Sequence, residues 1–252
     1  MFYALKKGTE VTLAFLHALP LDSRMFQPQI DAFRERATIY AADYPGFGGT
    51  PANRELRFED YARGVLAEWD RLGIRRAVVA GVSMGAQLAL WIAAHHPERI
   101  EKLVISSTHA LPPAAEERQM FLDLAQAAET HGPAALADQL IGMLFSEAAR
   151  STKPEVIASA RRMIEEADGV GVATAFRALA NRPDPTPWFS QIRVPTLLIY
   201  GEFDGAIPPT HIEALHQGIA SSELHRLQTG HYPNLEAPEA YNARIERFVF
   251  KN

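Results

Sequence analysis

Residues 77–87 read Ala-Val-Val-Ala-Gly-Val-Ser-Met-Gly-Ala-Gln, and an apolar run continues from them to His96 and Pro97. A short run of Ala and Val therefore stands before a Gly-x-Ser-x-Gly turn, residues 81–85, and a helical pattern follows it. A serine in a turn between a strand and a helix has a strained backbone, and flanking glycines let the chain pass close to itself. We expect Ser83 Oγ to stand above a sheet at a helix N-terminus, where negative charge is favoured. A plain tight turn is the alternative, and the flanking strand and helix disfavour it.

The composition limits the classes of protein and partner that fit this chain. Its 252 residues and 47 % apolar content fit one large domain, or one domain with an insertion. The net charge of −5, without a basic cluster, argues against nucleic acid as a partner. No apolar run approaches the roughly 20 residues that span a bilayer. The chain has no cysteine, and residues 1–7 do not resemble a secretory signal, so we expect a cytoplasmic protein without disulfides or thiolate metal sites.

Strand and helix patterns alternate through the first 107 residues. This alternation predicts an α/β fold with a mostly parallel sheet and helices on both faces. Such sheets bind ligands at the carboxyl ends of their strands, so the loops after the strands are expected to meet at one rim. Residues 2–6 are predicted to form an opening hairpin with the strand at 11–16. The other predicted strands of this half are 37–42, 77–82 and 103–107.

Residues 112–190 show helical patterns and no strand pattern. We interpret them as a helical cap, or lid, inserted into a core domain of residues 1–111 and 191–252. Several large apolar side chains of the cap are candidates to face a pocket, and packing within the cap is the alternative for each of them. These candidates are Phe121, Leu124, Met143, Leu144, Phe145, Phe176, Trp188 and Phe189.

Two further residues fit the chemistry that Ser83 would need. A serine hydroxyl is a weak nucleophile unless a base lies within hydrogen-bond reach and a carboxylate orients that base. Asp204 follows the strand predicted at 194–200, and His231 follows the last predicted strand. The alternative to Asp204 is Glu202 on the same face of the chain, and the alternative to His231 is His109, which also follows a strand.

An oxyanion formed on attack by Ser83 needs two N–H donors. One is expected to be the backbone N–H of Met84, directly after the nucleophile. The other is expected from the loop after the strand at 11–16, with Leu19 as first choice and Ala18 as second. Three other histidines, on the helix predicted at 209–218 and on the last predicted strand, are expected at the surface: His211, His216 and His225.

The loops that carry these residues resemble the α/β-hydrolase superfamily, in the group of capped carboxylesterases, lactonases and haloperoxidase-like enzymes. The resemblance implies an eight-stranded sheet with a helical cap, the chain order Ser83, Asp204, His231 for a catalytic triad, and no cofactor or metal. Ala18 stands where the family usually has glycine, which narrows the oxyanion loop after the strand at 11–16. Ala86 replaces a second glycine that is common directly after the turn at 81–85, which the family calls the nucleophile elbow. The matching loops are residues 17–21, 43–48, 81–85, 201–204 and 230–238.

The resemblance implies a serine hydrolase that cleaves a small carboxylic ester or lactone through an acyl-enzyme on Ser83, most often as a carboxylesterase. Haloalkane dehalogenases and epoxide hydrolases of this fold carry an aspartate at the position of Ser83, so the serine argues against both activities. The alternatives are a carbon–carbon bond hydrolase, a peracid-forming enzyme, an aminopeptidase, or a slow-turnover receptor that keeps the triad. The expected partner is a small-molecule substrate, with the chain as a monomer or homodimer.

Overall fold

A seven-stranded sheet runs through the residues that the computed structural model describes, 3–4 and 11–251. All six residues of its central strand, Ala77–Val82, are buried, so helices cover both faces of the sheet there. The strands are β1 (Tyr3–Ala4), β2 (Thr12–Leu16), β3 (Thr38–Ala42), β4 (Ala77–Val82), β5 (Ile100–Ser106), β6 (Thr196–Gly201) and β7 (Ser222–Leu227).

The strand order is β1-β3-β2-β4-β5-β6-β7, and every neighbouring pair is parallel except β1 with β3. The predicted opening hairpin is therefore wrong: β2 has parallel partners on both edges, and Tyr3–Ala4 pairs antiparallel with β3 instead. Residues 2 and 5–6 of that prediction lie outside the described residues. The described part of the chain forms seven strands, six of them mutually parallel, rather than the eight that the resemblance implied.

The direction in which successive strands are added to the sheet reverses between β2 and β4. From β2 the chain crosses to β3 on one side, and it then returns to β4 on the other side of β2. A crevice opens at such a switch point, beyond the carboxyl ends of the two strands. The Ser83 turn after β4 and the loop after β2 therefore face each other across this crevice.

Twelve α-helices are found in the described residues. The α3 helix carries the apolar run after Ser83, and ten of its twelve residues are buried, as expected for a helix that is apolar all round. The helices are α1 (Gln27–Phe33), α2 (Phe58–Leu72), α3 (Met84–His95), α4 (Ala115–His131), α5 (Ala137–Leu144), α6 (Glu147–Thr152), α7 (Pro154–Glu166), α8 (Gly169–Ala180), α9 (Thr186–Phe189), α10 (Pro209–Gly218), α11 (Pro233–Glu236) and α12 (Pro238–Phe250).

Between β5 and β6 the chain is helical, from α4 to α9. Its α8 helix approaches the loop after β3 closely, backbone to backbone: a Cβ on Gly46 would lie 2.4 Å from Gly171 Cα. The Asp168 N–H donates to the Gly46 carbonyl at 2.8 Å, and its side chain caps α8. The helical segment is therefore held directly against the rim of the sheet. Among the described residues, none of the helices has the length and apolarity required to traverse a bilayer.

Candidate active site

Ser83 occupies a strained turn at the start of α3. Its φ of 54° and ψ of −118° lie in a region that side chains rarely adopt. The two glycines of the motif are required by close backbone contacts: a Cβ on Gly81 would lie 2.5 Å from Ala86 N, and one on Gly85 would lie 2.0 Å from Leu16 O. The turn thus holds Ser83 at the carboxyl end of β4, beside the first N–H groups of α3.

His231 and Asp204 form a buried pair at the ends of the last two strands. Their Nδ1 and Oδ2 atoms are 2.9 Å apart, and the two side chains are 2 % and 3 % exposed. The other carboxylate oxygen of Asp204 accepts hydrogen bonds from the N–H groups of Ala206 and Ile207, at 2.9 and 3.0 Å. Since Nδ1 faces a carboxylate, it carries the proton, and Nε2 is left as a proton acceptor.

The environment of Asp204 keeps it ionised. Burial alone raises the pKa of its carboxyl, but the charge and hydrogen bond of His231 and the two backbone N–H groups outweigh burial. The pKa of Asp204 consequently lies below its usual value of 3.8. An ionised carboxylate in this position orients the imidazole and stabilises its protonated form.

Ser83 and His231 line one cavity of about 120 Å³. In the described residues, the imidazole is hydrogen-bonded to Asp204, and no hydrogen bond joins it to the Ser83 hydroxyl. Such contacts are often long in unliganded sites and tighten with substrate. Of the eight apolar side chains considered for a pocket, Phe121, Leu124, Met143, Leu144 and Phe176 line this cavity. The remaining three are buried elsewhere: Phe145, Trp188 and Phe189.

The loop after β2 places Leu19 in the wall of the same cavity. The N–H of Ala18 points at the sulfur of Met25, 3.2 Å away, so Ala18 is engaged within the loop. The Leu19 carbonyl accepts a hydrogen bond from the Tyr232 hydroxyl at 2.9 Å. These contacts favour Leu19 over Ala18 as the loop's oxyanion donor, opposite Met84 at the start of α3.

His17 joins the loop after β2 to the loop after β3. Its Nε2 accepts the N–H of Tyr44 at 3.1 Å, and its Nδ1 lies 3.1 Å from the Ala18 carbonyl, so Nδ1 carries the proton. Burial lowers the pKa of His17 below 6.5, and the nearby Asp43 offsets only part of this. His17 is therefore a neutral structural link between these two loops.

The two alternative triad members have other partners. Glu202 is exposed and lies 3.5 Å from Arg226, so it points away from His231. His109 lines the cavity, but its Nδ1 lies 3.1 Å from Glu117, at the first turn of α4. The geometry therefore favours Asp204 and His231.

The sequence did not predict the cluster of polar side chains that lies behind His109. Arg182, whose side chain is 1 % exposed, lies 2.6 Å from the Glu117 carboxylate. His211, predicted at the surface, is only partly exposed: its Nδ1 accepts the Ala110 N–H at 3.0 Å, and its ring meets that of His109 edge to face. Nothing in the local pattern of these residues signals the cluster, because it forms only where α4, α10 and the end of α8 converge.

Comparison with known proteins places the chain in one family. Residues 11–238 match the family model described as alpha/beta hydrolase fold. The chain is 28 % identical over 236 residues to the 3-oxoadipate enol-lactonase 2 of Acinetobacter baylyi, covering 93 % of this chain and 86 % of that one.

Solved structures agree. A thermophilic esterase from Thermogutta terrifontis superposes with a TM-score of 0.92 at 30 % identity, over 97 % of this chain and 91 % of that one. The enol-lactonase of Burkholderia xenovorans LB400 gives 0.91 at 28 % identity, over 97 % and 94 %. With these matches, the elbow at Ser83 and the parallel sheet behind it, the chain belongs to the alpha/beta hydrolase fold family, in the group that includes esterases and lactonases.

Proposed function

We propose that this chain is a serine hydrolase that cleaves small carboxylic esters or lactones through an acyl-enzyme on Ser83. The observation that carries the proposal is the shared cavity: Ser83 in its strained turn and the Asp204-oriented His231 line the same small space. The names of similar proteins, an esterase and enol-lactonases, support ester or lactone cleavage as the reaction.

In the proposed reaction, His231 Nε2 removes the Ser83 proton while Oγ attacks the substrate carbonyl carbon. The backbone N–H groups of Leu19 and Met84 stabilise the oxyanion, helped by the α3 N-terminus. The intermediate then collapses, and His231 returns the proton to the departing alcohol oxygen. Water, activated by the same imidazole, attacks the acyl-enzyme and releases the acid and Ser83. Asp204 holds the imidazole in the required tautomer throughout.

We propose that residues 112–190 act as a cap over a core of residues 1–111 and 191–252. Side chains from α4, α5 and α8 supply much of the cavity wall, while Ser83 and His231 come from loops at the strand ends. A cap of this kind excludes water, which strengthens the electrostatic interactions in the site. Substrate selection would then depend mainly on the cap.

The test is turnover of p-nitrophenyl butyrate. Ser83→Ala is expected to lower kcat by at least about 10³-fold, because the residual site can bind the ester but cannot form the acyl-enzyme. Asp204→Asn should show a comparable loss, while Glu202→Gln, two residues away and exposed, should leave kcat unchanged. Thermal unfolding of each variant controls for folding. Wild-type turnover by folded Ser83→Ala protein would refute the proposal.

A further inference from the structure

The cavity wall is nearly free of charge. None of the residues that line it is Lys, Arg, Asp or Glu, and its polar side chains are those of Ser83, His109 and His231. The nearest carboxylate on the catalytic side, Asp204, is buried behind His231 and ionised. An anionic group in the cavity would therefore lose its hydration and meet the field of a negative charge.

One cation lies directly behind this wall. The Arg182 guanidinium is 5.9 Å from the ring of Phe121, which lines the cavity. It is buried, and it donates to the carbonyl oxygens of Leu179 at 3.0 Å and Leu111 at 3.4 Å. An unneutralised guanidinium at this depth would attract an anion into the cavity, since charges are weakly screened inside a protein.

Glu117 neutralises that cation. Its Oε1 lies 2.6 Å from Arg182 and 3.1 Å from His109 Nδ1, so the carboxylate stands between the guanidinium and the cavity wall. Burial, with the charge of Arg182 as a further cause, lowers the pKa of His109 well below 6.5. His109 is consequently neutral, and the whole cluster presents no net positive charge to a substrate.

We propose that Glu117 is a specificity-determining residue: by pairing with Arg182 it makes the cavity accept uncharged acyl groups and reject acyl groups that carry a carboxylate. This inference rests on the proposed ester hydrolysis at Ser83 and adds the substrate class. The volume of about 120 Å³ holds on the order of ten non-hydrogen atoms, at 10–15 Å³ for each water-sized position. The class is thus small, uncharged esters and lactones.

The test compares two esters of equal size, one uncharged and one carrying a carboxylate. Methyl 5-methylhexanoate and monomethyl glutarate both contain ten non-hydrogen atoms, with an isopropyl group in the first where the second has a carboxylate. We expect the wild-type enzyme to prefer the uncharged ester by at least about 100-fold in kcat/KM, because a desolvated carboxylate finds no partner. A preference of less than threefold, or for the anion, would overturn the proposal.

Variants distinguish the effect of Glu117 from that of the apolar side chains that line the cavity. Glu117→Gln leaves Arg182 unneutralised and should reduce the preference at least tenfold, whereas the exposed neighbour change Glu116→Gln should not alter it. The double variant Glu117→Gln/Arg182→Leu removes both charges and should restore the preference. An unchanged preference in folded Glu117→Gln protein would contradict the assignment.

A second single variant covers the case in which Glu117→Gln does not fold. Arg182→Met removes the cation, so the preference for the uncharged ester should be at least that of the wild type whether Glu117 stays ionised or takes up a proton; a fall would contradict the proposal. Failure of this inference is distinct from failure of the proposed function. If Ser83-dependent cleavage is present but both esters react equally, only the inference falls; if neither ester nor p-nitrophenyl butyrate is cleaved, both fall.

Discussion

The hydroxyl of Tyr232 donates a hydrogen bond to the carbonyl oxygen of Leu19 over 2.9 Å, although the two residues are 213 positions apart in the chain. Tyr232 directly follows His231, and Leu19 is the proposed oxyanion donor. Burial raises the pKa of the Tyr232 phenol well above 10, so it stays a neutral donor at any working pH. This contact links the loop after β2 to the loop that carries His231, where the Asn234 side chain also donates to the Met25 carbonyl at 2.9 Å.

Tyr232→Phe is expected to lower kcat about 10- to 100-fold with little change in KM. The Leu19–Pro20 peptide would lose this bond, so the adjacent peptide that carries the Leu19 N–H would be held less firmly, and small displacements of a catalytic group reduce the rate strongly. Steady-state kinetics on p-nitrophenyl butyrate would measure the effects on kcat and on KM separately. Tyr241→Phe is the matched control, because it removes another buried bond, to Ser106 at 3.0 Å.

Both tyrosine variants should lose about 1–3 kcal/mol in free energy of unfolding through an unsatisfied buried group. Only Tyr232→Phe should lose kcat. If Tyr241→Phe reduces kcat equally, the effect is one of stability, and Tyr232 has no positioning role.

Glu236 links the loop that carries His231 to the helical segment between β5 and β6. Its carboxylate accepts the Gly230 N–H at 2.9 Å and the Ser146 hydroxyl at 2.5 Å, next to the contact of the His231 N–H with the Leu144 carbonyl at 2.8 Å. Glu236→Gln replaces an acceptor oxygen by an N–H₂ group that faces donors. We expect kcat to fall about tenfold with KM changed by less than threefold, since His231 would lose its fixed position.

The control for Glu236 is Glu239→Gln, an exposed change on the first turn of α12. Chemical denaturation should show a loss of about 2 kcal/mol for Glu236→Gln and none for the control. Partial recovery of kcat in Glu236→Asp would support positioning. A Glu236→Gln enzyme with wild-type kcat would contradict it.

Two buried histidines make stability depend on pH. Burial lowers the pKa of His17 and of His109 below the 6.5 expected in the unfolded chain. Below pH 6.5 the unfolded state therefore binds more protons than the native state, and the free energy of unfolding falls as pH falls. Each histidine contributes up to about 1.4 kcal/mol per pH unit in this range.

Urea unfolding at pH 7.5 and 5.5 measures this slope. His109→Gln should reduce the difference in free energy of unfolding between these two pH values by up to about 1.4 kcal/mol, because the substituted side chain does not titrate. The exposed His131→Gln, at the end of α4, should leave the slope as in wild type. Equal wild-type stability at both pH values would rule out the linkage.

The local chemistry of the sequence determined the scaffold of the site. The Gly-x-Ser-x-Gly pattern between an apolar strand and an apolar helix predicted the strained turn at Ser83, and Gly81 fits there because a Cβ would lie 2.5 Å from the backbone of Gly85 and Ala86. The alternation of strands and helices predicted the parallel sheet, and the loops after its strands bring Ser83, Asp204 and His231 to one rim. These features depend on neighbours in sequence and on strand order alone.

Only the tertiary structure decided which distant segments of the chain meet. The pairing of β1 with β3, the Tyr232–Leu19 bond, the Glu117–Arg182 pair and the choice of cavity-lining side chains all join segments far apart in the chain. Periodicity tells which face of a helix is apolar, but it does not tell which other element that face meets. The docking of α4 and α8 over the sheet places a neutralised cation behind the cavity, because burial obliges Arg182 to find a carboxylate.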